Sequence, residues 1–107
     1  MFKWLEKKAA QRSAKNVALN TKTLILVANE ADKRIVASGG QVNEADQRNA
    51  LSAQKSLLMD IELAMANGMS LEELIEAHIR PVVDSQEVSE GAKLAINHVL
   101  SYKGGSL

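Results

Sequence analysis

Between Phe2 and Ala37 no glycine or proline interrupts the chain, and Ala10, Ala14, Val17, Thr21, Leu24, Ala28, Ala31 and Ile35 recur at alternating spacings of four and three. Such spacing keeps side chains on one line of an α-helix, and over almost four heptads it describes a helical seam. The apolar run Thr23-Leu24-Ile25-Leu26-Val27-Ala28 lies inside it. A strand is excluded because the pattern continues in phase on both sides. Leu24 and Ala28 fall on the seam, Ile25 and Val27 flank it and Leu26 points the opposite way, which predicts burial on more than one side. Asn20-Thr21, weak helix formers and good caps, is a candidate break. The seam crosses it without a stutter, so one helix is predicted.

Ser38-Gly39-Gly40-Gln41-Val42 ends this helix, glycine supplying the left-handed conformation a C-terminus needs. Asn43 is placed to cap a second helix, with Glu44 and Asp46 complementing its positive end. The apolar stripe predicted for it is Ala50, Leu51, Gln54, Leu57, Leu58, Ile61, Ala64 and Met65, and Asn67-Gly68 stops it. Ser70-Leu71-Glu72-Glu73 is a capping box, with Met69 and Leu74 as a hydrophobic staple, so a third helix runs from Leu71 to about Ile79, before Pro81. Asp84-Ser85-Gln86-Glu87 repeats the capping pattern and predicts a fourth helix to about Tyr102, closed by Gly104-Gly105. The fold class is therefore all-α: a helical bundle built on a long antiparallel hairpin plus two shorter helices. A first helix of about 36 residues is about 54 Å long, against a radius of gyration of about 13 Å for a compact chain of this size. An antiparallel second helix covers it back to about residue 14. Residues before that must meet the later helices, another subunit or a different partner.

Composition sharpens this picture. The 107 residues suit one domain, and with one Phe, one Tyr and one Trp the core must be aliphatic. There is no cysteine for disulfide or thiolate chemistry, no apolar run near the roughly 20 residues of a membrane span, and no signal-peptide pattern. A cytoplasmic setting is expected. Net charge is zero but unevenly placed: residues 1–22 hold Lys3, Lys7, Lys8, Arg12, Lys15 and Lys22 against Glu6, a net +5. Between Asp60 and Glu90 eight acids face Arg80 alone. The chain reads as a basic arm, residues 1–15, on an acidic body.

Candidate chemistry is sparse. His78 and His98 fall on different helices and outside any metal-ligand spacing, and Asp60 and Glu62, two apart, do not face each other. Glu72, Glu73 and Glu76 suit the start of a helix, and neither Gly-Gly pair belongs to a phosphate-binding loop. No catalytic residue, cofactor, metal or small-molecule substrate is implied, and a non-enzymatic role is expected. Two surfaces remain. Phe2, Trp4, Leu5, Lys7, Lys8, Arg12 and Lys15 combine aromatic and basic groups and are the predicted partner-binding residues. Trp4 projects away from the side shared by Phe2, Leu5, Ala9 and Val17, and Glu6 intrudes, so the stretch has no clean amphipathic face of the kind that lies on a membrane. Leu19, Leu26, Met59 and Leu63 lie off the hairpin seam and are the predicted self-association residues. The expected function is a small intracellular interaction protein, an adaptor or inhibitor that forms a homo-oligomer and binds a protein partner. The alternative is a peripheral binder of an anionic membrane or nucleic acid through the basic helix. For the arm itself, docking on the acidic half of its own or a neighbouring subunit is expected ahead of membrane or nucleic-acid contact.

Overall fold

The computed structural model describes residues 2–107, and among these there is helix but no strand. Helix α1 spans Lys3–Ala37 as one element, so Asn20 and Thr21 do not break it. Thr21 is fully buried because its hydroxyl donates to the Val17 carbonyl, 2.7 Å away within the same helix. Helix α2, Glu44–Ala66, starts at Asn43, whose side chain accepts from the amides of Ala45 and Asp46. Across the hairpin Arg34 pairs with Asp46 at 2.6 Å and Asn20 donates to Asp60, so α2 returns antiparallel. Three helix ends share one device. Gly39, Gly68 and Gly104 take positive φ, and the next amide (Gly40, Met69, Gly105) bonds back five residues, to Ile35, Ala64 and Leu100.

The seam is buried from Ala10 through Ala14, Val17, Thr21, Leu24 and Ala28, while Ala31 and Ile35 are half-buried. In the apolar run Leu24 and Ile25 are fully buried, Val27 is half-buried and Leu26 is exposed, so burial covers one broad face rather than the circumference. On α2 the buried line passes through Ala53, Leu57, Ile61 and Ala64. Leu51, expected on that line, lies about 80° round the helix from its edge and is exposed.

The third helix departs from expectation at Pro81. Helix α3 (Leu71–Leu74), a π-helical stretch (Ile75–Ile79) and helix α4 (Arg80–Asp84) form one helical run. A proline in a regular α-helix collides with the carbonyl four residues back, here that of Ala77. The wider π turn immediately before Pro81 lets the chain pass that point, and Pro81 then occupies the first turn of α4, where a missing N–H costs little. The capping box forms as expected, Ser70 Oγ accepting from Glu73 N at 3.1 Å, with Leu74 buried and Met69 against the core.

Helix α5, Glu90–Ser101, begins at Ser89, whose hydroxyl accepts from Ala92 N, rather than in Asp84–Glu87, which ends α4 and the following loop. The start is set by α1. Asn29 donates to the Glu87 carbonyl (2.8 Å) and accepts from Ser89 N (2.9 Å), and Asp32 accepts from Gly91 N (3.0 Å). Helix α5 packs against both α1 and α2, and the core is aliphatic throughout: Val17, Leu24 and Ile25 meet Leu57, Ile61, Leu74, Ile79, Ile96 and Leu100. The molecule measures 57 × 24 × 21 Å, its long dimension set by α1.

Candidate interaction surface

Phe2 and residues 3–8 at the start of the first helix are exposed, Ala9 is half-buried, and burial begins at Ala10 and Ser13. Helix α2 does not account for that inner boundary alone. The third helical run brings Met69, Glu73 and His78 beside Gln11, Arg12 and Lys15 around an open cleft of about 600 Å³. Phe2 is 58% exposed and Trp4 61%, and with Tyr102 this leaves all three aromatic residues outside the core. Lys8 Nζ lies 5.8 Å from the Trp4 ring centre, a cation–π contact on the surface.

At about 100° per residue, the side of α1 opposite its buried seam carries Leu5, Lys8, Arg12, Lys15, Leu19, Lys22 and Leu26. These residues also alternate in steps of three and four, and all are exposed. They form a second line along the same helix, made of leucine and cations. Between Lys7 and Asn29 the chain has no carboxylate at all. Among the described residues the ion pairs draw on Lys33, Arg34, Arg80, Lys93 and Lys103, and none draws on a cation of residues 2–22. Among the described residues the basic arm therefore makes no ion pair with the acidic half of its own chain, although Glu73 lines the same cleft as Arg12 and Lys15. Glu62, Glu76 and Glu90 are paired instead by Lys103, Arg80 and Lys93.

The structure thus brings Leu5, Lys8, Arg12 and Lys15 of the predicted partner-binding set onto one line, with Trp4 at its edge. Phe2 and Lys7 project from other sides of the helix. Leu19 and Leu26 belong to this line, Leu19 bordering a cleft with Val82 and Gln86. Met59 and Leu63 are exposed on α2, on a different face, so the four predicted self-association residues do not make one patch. Lys22, part of the basic segment but outside the predicted partner-binding set, joins the line because it is spaced three and four residues from Leu19 and Leu26.

The remaining features are separate. His98 is exposed and stands edge-on to Tyr102, ring centres 5.2 Å apart, whereas His78 is half-buried in the cleft at the root of the arm. Among the described residues no three His, Asp or Glu side chains converge as a metal site would require, and no helix is long and apolar enough to cross a membrane. An apolar cleft of about 460 Å³ lies between the end of α1 and the loop before α5, lined by Asn29, Val36, Ala37 and Val88. Comparison with protein-family models, with curated proteins and with solved structures gives no match.

Proposed function

We propose that the protein is a small interaction protein that self-associates and holds a macromolecular partner on the first helix. The observation that carries this reading is the set of unpaired cations and exposed apolar groups on α1: Lys8, Arg12, Lys15 and Lys22, with Trp4, Leu5, Leu19 and Leu26, none of which serves the chain's own core. A stretch of this length without a carboxylate attracts anionic partners, and its exposed leucines add contact area that a purely electrostatic surface lacks. Self-association is supported by Leu51, Met59 and Leu63, large apolar side chains exposed on α2 away from that basic line. The proposed setting is the cytoplasm, in keeping with a chain that has no cysteine. No group of side chains in the fold carries a catalytic role in this reading.

A second reading, attachment to an anionic surface such as a membrane or nucleic acid, draws on the same cations. The two differ in salt dependence: counterion release makes polyanion binding fall steeply with salt, while contacts made by leucines persist. The test is affinity capture from the source cell with the wild type and with Lys8→Glu/Arg12→Glu/Lys15→Glu. Loss of the captured partner in the variant is expected. Undiminished capture overturns the assignment of partner binding to the first helix.

A further inference from the structure

Resting on the reading that the first helix is the partner-binding element, we infer that the occupant of its outer line is an acidic amphipathic α-helix of a partner protein. The argument is one of shape and charge. Leu5, Lys8, Arg12, Lys15, Leu19, Lys22 and Leu26 follow steps of three and four without exception, and cover about 31 Å of helix. Their directions spread over roughly 100° of the circumference. A bilayer surface is met by a broad apolar face with cations on its flanks. Here the cations lie on the same line as the leucines, and the flanking positions Gln11, Asn16, Ala18 and Thr23 are neutral. A narrow line with a 3.5-residue period is the surface that a second helix reads, knob by knob.

Charge decides what that second helix carries. Among the described residues none of the four cations on the line makes an ion pair, and Glu73 alone shares a cleft with two of them, Arg12 and Lys15. The matching positions on the partner are therefore Asp or Glu, alternating with leucine-like side chains opposite Leu5, Leu19 and Leu26. A second copy of this chain using the same line is excluded by the same count. Antiparallel pairing about Lys15 sets Lys15 against Lys15 and Lys8 against Lys22, and parallel pairing sets every cation against itself. Nucleic acid would satisfy the cations but leave the three leucines without a role.

The test uses the full chain and a fluorescein-labelled synthetic helix of four heptads with leucine at a and glutamate at d, followed by fluorescence anisotropy. A control helix carries lysine in place of glutamate, and further probes are duplex DNA and vesicles of mixed phosphatidylcholine and phosphatidylglycerol. Saturable binding of the acidic helix and none of the lysine helix is expected. Leu19→Ser/Leu26→Ser and Lys15→Glu/Lys22→Glu should each weaken it at least tenfold. All four positions are exposed, so circular dichroism should show both variants folded. Absence of binding to the acidic helix overturns the inference. So does binding that ignores the leucine substitutions, or tighter binding to DNA or vesicles than to the helix. If the acidic helix fails while capture from the cell still depends on Lys8, Arg12 and Lys15, the helical partner is wrong and the proposed function stands. If that capture is itself independent of these cations, the proposed function falls with it.

Discussion

Gly91 is the residue on which the junction between α1 and α5 depends. It is half-buried at the second position of α5, its amide bonds to Asp32, and a Cβ there would overlap the Asp32 carboxylate. Gly91→Ala therefore has to displace a group that also satisfies a helix N-terminus, and a loss of about 1–3 kcal/mol in urea unfolding is expected. Asp32→Ala alone removes one capping interaction and should cost about 1 kcal/mol. In the double variant the overlap is gone, so the combined loss should be smaller than the sum of the two. Simple additivity would show that the overlap is relieved some other way. Gly91 stands in the sequence as an unremarkable helix residue, since its neighbour in space is 59 positions away.

Among the elements, the ones legible in the sequence are those whose signals are local. Asn43 and Ser70 cap the helices they precede, and glycines end three helices, because each of these bonds closes within a few residues. The two misplaced boundaries have non-local or non-standard causes. The start of α5 is selected by Asn29 and Asp32 of α1 over the equally good local signal at Asp84–Glu87. The stop expected before Pro81 assumes a 3.6-residue turn, and the π stretch removes that assumption. The basic line on α1 is not visible to hydrophobic periodicity for a third reason: that pattern weighs leucine and ignores lysine. If the π turn is what accommodates Pro81, the ring is tolerated rather than required, and Pro81→Ala should change stability by less than about 1 kcal/mol. Proline at exposed Glu62, inside the regular helix α2, should cost about 3 kcal/mol or more. Comparable losses from the two changes, by urea midpoint, would contradict this account.

At the scale of the whole molecule, the outer end of α1 is separable from the bundle. Deleting residues 2–8 removes no buried side chain and should leave the melting temperature within about 2 °C of the wild type. Extending the deletion through Ala14 removes Ala10, Ser13 and Ala14 from beneath the third helical run and should lower it by several degrees. The reach of α2 alone places the boundary near residue 14, whereas burial begins at Ala10, where the later helices meet α1. Light scattering should give a mass above 11.6 kDa for the full chain and for the shorter deletion alike, since Met59 and Leu63 remain. A strict monomer at tens of micromolar would remove self-association from the proposal. The clamp that α1 places on α5 also bears on the order in which the elements form. The hairpin closes over the short turn 38–43, whereas the bonds from Asn29 and Asp32 reach partners 58 to 60 residues away. Loop closure over that separation carries the larger entropy cost, so the hairpin is expected to form first. Docking of the segment from α3 to α5 is then the later step, and hydrogen exchange should show amides of α5 protected after those of α1 and α2 during refolding.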